Sequence, residues 1–158
     1  MMTLTELINP ELLLLNVSCS TKNDLIAQLA AKIYSADRKL PLSHEELLKN
    51  IYTREEIGGT LLPSGLVIPH ARLKNFEDFI LAVATPAAPL FQGKQEIRLA
   101  AMMITSQSGG AWYLETLAAL TKLSRDEPYF RRLAGALTKE DFFSVLRESN
   151  LSFAPANT

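Results

Sequence analysis

The chain has 158 residues, of which 47% are hydrophobic and 21% charged, enough apolar material for one sizeable core. Its 16 basic and 17 acidic residues leave a net charge of −1, which gives no long-range attraction for nucleic acid or an anionic membrane surface. The single cysteine, Cys19, excludes an internal disulfide, and with only two histidines in the chain it argues against a cysteine/histidine metal site.

The chain begins with a predicted strand and helix. The apolar run of residues 12–15 suits a short buried strand, and residues 18–21 supply capping candidates for a helix that ends near Asp37. Apolar residues recur along this helix at the spacing of a single buried face: Leu25, Ile26, Leu29, Ala30 and Ile33.

A second helix is predicted to start at Ser43, because Glu46 follows at the spacing of a capping box. Gly58-Gly59 ends it. Arg54 falls near the C-terminal end of this helix, where the helix dipole favours a cation whether or not the arginine has another task.

The segment from Gly65 to His70 is the most informative part of the chain. Residues 66–68 form an apolar run typical of a buried strand, and Pro69 has no amide hydrogen to extend the ladder, so the strand is predicted to stop one residue before His70. Gly65 permits a turn or a close backbone approach at the entry. The histidine is therefore expected to hold a well-defined position.

The second half of the chain continues the alternation. Strands are predicted over residues 78–85 and 96–105, and a helix follows with Tyr113 near its start. Pro128 suits the first turn of another helix, and Thr138 suits the cap of a final one. The interleaved elements predict a single-domain α/β layered sandwich, a mixed β-sheet flanked by α-helices, over residues 1–149, with residues 150–158 as a loose C-terminal tail.

The chain is expected to remain in the cytoplasm. No apolar stretch approaches the roughly 20 residues that a bilayer span requires. The N-terminal segment, which contains Glu6 and Asn9-Pro10, lacks the charged-then-apolar layout of a signal peptide. We therefore expect no membrane insertion.

His70 and Arg54 form a candidate site for carrying a phosphoryl group. A neutral imidazole, with an ordinary pKa of about 6.5, is a good nucleophile near neutral pH without a base to activate it. The planar, permanently charged guanidinium of Arg54 suits the phosphoryl oxygens, and Thr60 could add a hydroxyl hydrogen bond.

The residues alone leave simpler interpretations open. A lone histidine after a strand is more often a packed or solvated loop residue than a nucleophile, and Arg54 could belong to an ordinary charged helix face. Ser64, His70 and Asp78 supply the residue types of a hydrolase triad, but no G-x-S-x-G elbow is present. Neither common nucleotide-binding glycine motif occurs. A phosphoryl group would have to come from another protein.

Arg54-Glu55, Thr60, Gly65 and the Leu-Val-Ile-Pro-His segment ending at His70 resemble a known active-site region. It is that of enzyme IIA of the fructose/mannitol class in the bacterial phosphoenolpyruvate:sugar phosphotransferase system, including its nitrogen-regulatory branch. The resemblance extends over nearly the whole chain.

The resemblance implies a role for each matching residue. His70 aligns with the histidine that accepts phosphate from the phosphocarrier HPr and passes it to a IIB domain, and Arg54 aligns with the arginine that supports it. Thr60, Gly65 and Pro69 complete the matching segment. Tyr113 stands where several family members have a second active-site histidine. An aromatic on the packed side of its helix is the alternative for Tyr113.

Two outputs are compatible with the resemblance. The first is a phosphocarrier in carbohydrate uptake, and the second is a regulatory protein whose phosphorylated histidine changes its binding to a target. Neither needs a cofactor beyond the covalent phosphohistidine. Both require that a donor protein can reach the His70 ring and that the Arg54 guanidinium lies close to it.

Overall fold

The computed structural model describes residues 2–108, 110–149 and 152–153. The helices are α1 (Leu4–Leu7), α2 (Lys22–Ser35), α3 (His44–Gly58), α4 (Gly110–Ser124), α5 (Glu127–Ala134) and α6 (Lys139–Arg147), with one turn of 3₁₀ helix at Pro10–Leu12. The strands are β1 (Met2–Thr3), β2 (Leu13–Val17), β3 (Leu66–Val67), β4 (His70–Leu73), β5 (Ile80–Pro86), β6 (Leu90–Gln92), β7 (Gln95–Ile97), β8 (Leu99–Ser106) and β9 (Ser152–Phe153).

The main sheet is mixed and is built around β8. Its order is β2-β5-β8-β3, and β4 pairs with β8 further along the edge that β3 occupies. β5 runs antiparallel to β8, whereas β3 and β4 run parallel to it. β2 is parallel to β5.

Helices cover both faces of this sheet, so the predicted α/β sandwich is confirmed. One apolar cluster joins α2 and α3 to the sheet residues Ala71, Ala82 and Met102. The other joins α1, α4, α5 and α6 to the sheet residues Leu66, Leu81 and Met103. The alternation of side chains along each strand produces this division.

Helix starts follow the sequence signals closely. The Ser43 side chain accepts a hydrogen bond from the Glu46 amide, and the Glu46 side chain accepts one from the Ser43 amide, which completes the predicted capping box. The Thr21 side chain accepts a hydrogen bond from the Asp24 amide at the start of α2, and the Thr138 side chain accepts one from the Asp141 amide at the start of α6. Pro128 lies in the first turn of α5, as predicted.

Strand boundaries follow the sequence less closely. The predicted strand over residues 96–105 is divided between β7 and β8, because the Gly65 carbonyl oxygen accepts hydrogen bonds from the Arg98 and Leu99 amides at the break. The strand predicted from residue 78 begins only at Ile80, since the Asp78 carboxylate accepts a hydrogen bond from the Phe79 amide at 2.8 Å.

The predicted loose tail needs a correction at two residues. Ser152–Phe153 form β9, which pairs antiparallel with β1 at Met2–Thr3. This pairing gives partners to backbone groups of both termini. The rest of the predicted tail, residues 150, 151 and 154–158, lies outside the described residues.

Across the described ranges, every helix is too short or too polar to cross a membrane.

Candidate functional site

His70 follows one strand, β3, and opens a second, β4. Pro69 interrupts the ladder as predicted, and β3 ends at Val67, but pairing with β8 resumes at His70 itself. The Pro69 carbonyl oxygen accepts a hydrogen bond from the Met103 amide at 2.8 Å, which keeps the chain beside β8 through the break. The prediction that the strand stops before His70 is therefore confirmed, but a second strand on the same neighbour, which was not predicted, begins at His70. A proline removes one donor without turning the chain away from its neighbour.

The His70 ring is held at one nitrogen and has no partner at the other. Its Nε2 lies 2.9 Å from Oγ1 of Thr105 on β8, and the tautomer decides which of the two donates. Nδ1 is buried and has no hydrogen-bond partner in the part of the chain that the structure describes. A neutral ring keeps the lone pair on one of these two nitrogens.

Tyr113 covers one face of the His70 ring. It lies in the first turn of α4, as predicted, and its ring stacks on the imidazole with centroids 4.1 Å apart and planes inclined by only 9°. His70 is 2% exposed. A donor protein could not reach the ring in this arrangement, so the expectation of an accessible imidazole is not met.

Two arginines act electrostatically on His70. Burial, then the Arg54 guanidinium, then the Arg72 guanidinium lower the pKa of His70 from its ordinary value of 6.5 to about 4. The imidazole is therefore neutral at physiological pH. The positive charge of Arg54 thus acts on the ring, while the closeness of its guanidinium to His70 stays a prediction.

Arg72 is a site residue that the sequence analysis missed. It lies two positions after His70 in β4, so both side chains project from the same face of the strand. Its Nη2 donates a hydrogen bond to the Gln107 carbonyl oxygen at 2.8 Å, which anchors the guanidinium at the end of β8. A cation two residues from the histidine was the signal that could have revealed it.

Arg54 and Arg72 line the same open groove. This groove has a volume of about 790 Å³ and lies between α3 and β4. Lys49 adds a third cation, and Ile57, which is 85% exposed, adds an apolar side chain. The carboxylate of Glu46 also lines the groove, so three cations and one anion leave it with a net positive charge.

Thr60 connects α3 to the backbone that leads into His70. Its hydroxyl donates to Glu55 Oε2 at 2.9 Å and accepts from the Ile68 amide at 3.1 Å. The hydroxyl proton is therefore engaged within the protein and is not free for the phosphoryl contact suggested from sequence. Its structural role is to connect α3 to the segment that leads into His70.

Glu55 is the buried centre of this connection. Glu55 is 7% exposed. Its Oε1 lies 3.0 Å from Nζ of Lys22, the first residue of α2. A buried carboxylate is costly unless it is paired and hydrogen-bonded, and here both conditions are met. Lys22 gave no signal in the sequence, because 33 residues separate it from Glu55.

Gly65 has the special backbone conformation that its position predicted. Its φ is +97°, and a Cβ atom there would lie 3.0 Å from Cγ of Arg98 and 3.1 Å from the Glu96 carbonyl oxygen. The residue therefore allows both a turn and the close approach of β3 to the start of β8.

Comparison with known proteins assigns the chain to a family. The sequence model described as "Phosphoenolpyruvate-dependent sugar phosphotransferase system, EIIA 2" matches residues 6–149. The chain belongs to this family, as the resemblance indicated.

Curated relatives include a component of a PTS system and a nitrogen regulatory protein. The chain is 30% identical to the 2-O-alpha-mannosyl-D-glycerate-specific EIIABC component of Escherichia coli K12 over 92% of its own length, but it spans only 23% of that protein. It is 29% identical to the nitrogen regulatory protein of Klebsiella oxytoca, over 92% of this chain and 91% of the relative.

Solved structures share the fold. Nitrogen regulatory protein IIA-Ntr from Neisseria meningitidis superposes with a TM-score of 0.78 at 19% identity, covering 90% of this chain and 97% of that one. IIA mannitol from E. coli gives a TM-score of 0.69 at 16% identity, covering 88% and 98% of the two chains.

Proposed function

We propose that His70 accepts a phosphoryl group from an HPr-like phosphocarrier protein and passes it to a sugar-specific IIB partner in carbohydrate uptake. The observation that carries this proposal is a neutral imidazole on which two guanidinium groups act, in a chain of the EIIA type 2 family.

The transfer needs an unprotonated ring nitrogen. Its lone pair attacks phosphorus, so that a new N–P bond forms while the bond from phosphorus to the donor histidine breaks and its electrons return to the donor ring. The low pKa of His70 keeps that lone pair available throughout the physiological pH range. No cofactor is required, because the carrier is covalent phosphohistidine.

The charges around His70 favour the phosphorylated state. A phosphoryl group adds roughly −1.5 to −2 charges near neutral pH, by analogy with other phosphorylated side chains. Arg54 and Arg72 oppose a proton on the ring, and the same two cations stabilise negative charge placed there. The site therefore disfavours protonation of the ring and favours its phosphorylation.

A direct test uses labelled phosphoenolpyruvate with purified enzyme I and HPr. We expect acid-labile label on the wild-type chain and none on His70→Ala. His44→Ala serves as the matched control, because it removes the other histidine of the chain and should label normally. Label that survives His70→Ala would refute the assignment.

A second candidate function uses the same chemistry with a different output. In this alternative, phosphorylation of His70 changes the binding of a regulatory target instead of supplying a sugar. The nitrogen regulatory relative from K. oxytoca, matched over 91% of its length, supports it.

A label chase separates the two outputs. Chain labelled at His70 is mixed in turn with purified IIB domains from the same genome. Rapid loss of label to one of them supports the sugar relay, whereas label retained with all of them supports the regulatory switch.

A further inference from the structure

The stack between Tyr113 and His70 has a consequence for access to the site. The phenol lies face to face with the imidazole at 4.1 Å, and the Thr105 hydroxyl occupies the ring edge at Nε2. The remaining nitrogen, Nδ1, is buried without a partner among the described residues. No small phosphoryl donor can approach either nitrogen without a side-chain movement.

Tyr113 is the part of this enclosure that can move most easily. Thr105 belongs to the central strand β8 and is 2% exposed, so its position is set by the sheet. Tyr113 lies in the first turn of a surface helix, is only partly buried, and its neighbour Leu114 is 61% exposed. Within the described ranges its hydroxyl makes no hydrogen bond, which leaves ring packing to hold it.

We infer that Tyr113 is a removable cover that hides His70 from small phosphoryl donors and is displaced when a protein donor docks. This inference rests on the proposed function in that the docking protein is the phosphoryl donor. A change of the tyrosine side-chain rotamer would uncover the ring and leave the helix in place. Tyr113 is thus an access-determining residue and takes no part in bond making.

The first test measures exposure without any phosphoryl transfer. Diethyl pyrocarbonate acylates unprotonated imidazole, and peptide mass spectrometry reports its reaction at His70 separately from His44. We expect Tyr113→Ala to raise the rate at His70 by about tenfold, which corresponds to an aromatic stack at the upper end of its usual strength. Tyr113→Phe should react like the wild type, because it keeps the stack and lacks only the hydroxyl.

Leu117→Ala is the matched control. Leu117 lies one helical turn further along α4 and packs in the same apolar cluster as Tyr113. Its truncation should leave His70 protected. An equal increase in Leu117→Ala, or a wild-type rate already equal to that of Tyr113→Ala, would overturn the inference.

The second test compares a small donor with a protein donor. Phosphoramidate phosphorylates imidazole as a new N–P bond forms and its own P–N bond breaks to release ammonia. We expect Tyr113→Ala to accelerate this reaction about tenfold and the reaction with phosphorylated HPr by much less, because the docked protein displaces the tyrosine in either case. Equal acceleration by both donors would refute displacement by docking. If phosphorylated HPr never labels His70, the proposed function fails, while the acylation rates still decide whether Tyr113 is a cover.

Discussion

His70 is buried and also lies within the electrostatic influence of two cations, Arg54 and Arg72. Burial and positive charge both disfavour the imidazolium ion, so the pKa falls to about 4. A buried neutral imidazole with an unsatisfied nitrogen is costly for folding, and such strain is typical of groups kept for chemistry.

At this scale we predict a defined role for the Arg54 charge. Arg54→Ala should slow phosphoryl transfer to His70 by about 10- to 100-fold while the fold is retained, because one charge-assisted contact to the phosphoryl oxygens is lost. The pKa of His70 should rise in the variant, since a cation that lowers it has been removed. Labelling kinetics and an NMR titration of the ring measure the two effects.

Two further variants sharpen this test. Arg54→Lys keeps the charge but loses the planar fork, so it should recover the low pKa of His70 and only part of the rate. Arg147→Ala removes an exposed arginine of α6, on another part of the surface, and should behave like the wild type. Unchanged transfer kinetics in Arg54→Ala would count against its role.

Among the elements, helix α3 contributes to the site on both its exposed and its buried side. Its exposed side carries Arg54 toward the groove, while its buried side holds Glu55, which receives Lys22 from α2 and the hydroxyl of Thr60. The Thr60 hydroxyl in turn accepts a hydrogen bond from the Ile68 amide. A chain of hydrogen bonds therefore runs from α2 and α3 to the backbone just before His70.

We predict that Glu55→Ala destabilises the protein by about 3 kcal/mol, because the partly buried ammonium of Lys22 and the hydroxyl of Thr60 both lose their partner. Urea unfolding measures the effect. Glu56→Ala is the control, since its neighbouring carboxylate is exposed and should change stability by less than about 0.5 kcal/mol. Equal stabilities of the two variants would show that the buried pair contributes nothing.

The turn before β3 gives another prediction at this scale. Gly65→Ala should destabilise the fold by about 2–3 kcal/mol, because it forces a Cβ atom against Arg98 and the Glu96 carbonyl oxygen in addition to a positive φ. Gly93→Ala isolates the backbone effect, since its φ is also positive at +60° but no atom lies within 4 Å of the added Cβ. It should cost only about 1 kcal/mol. Similar losses in thermal unfolding would contradict the steric argument.

In the molecule as a whole, the sheet brings the site together from distant parts of the chain. β4 supplies His70 and Arg72, the neighbouring β8 supplies Thr105, and the two helical layers supply Arg54 from one side and Tyr113 from the other. The site lies where these layers meet at the sheet edge, so its integrity depends on the entire fold.

The lowered pKa of His70 predicts how the free energy of unfolding varies with pH. The pKa of His70 is about 4 when folded and about 6.5 when unfolded, so the unfolded chain binds more protons between these values. The contribution of the neutral ring is complete above pH 6.5 and is lost as the pH falls toward 4. Between pH 6.5 and pH 4 the wild type should lose up to about 3 kcal/mol of its unfolding free energy through His70. The side chain in His70→Gln does not titrate, so this part of the loss should be missing in the variant. Urea titrations at a series of pH values measure it, and parallel profiles would contradict the shift.

Local signals in the sequence were sufficient for most of the helices. The capping box of Ser43 and Glu46, the cap at Thr138 and the early proline of α5 depend on residues within one turn, and the structure has all three. The mixed sheet between helical layers also followed from the alternation of elements. Strand limits were less predictable, because partners far along the chain decide where a ladder ends.

By itself, the sequence determined the family, the helix starts and the choice of His70 and Arg54 as the candidate pair, since each depends on residue types at short spacings. Only the tertiary structure decided that Thr105 bonds the ring, that Arg72 shares its strand face, that Glu55 meets Lys22 and that Tyr113 covers the imidazole. These contacts depend on how strands and helices from separate parts of the chain pack together, and no short-range pattern encodes that arrangement.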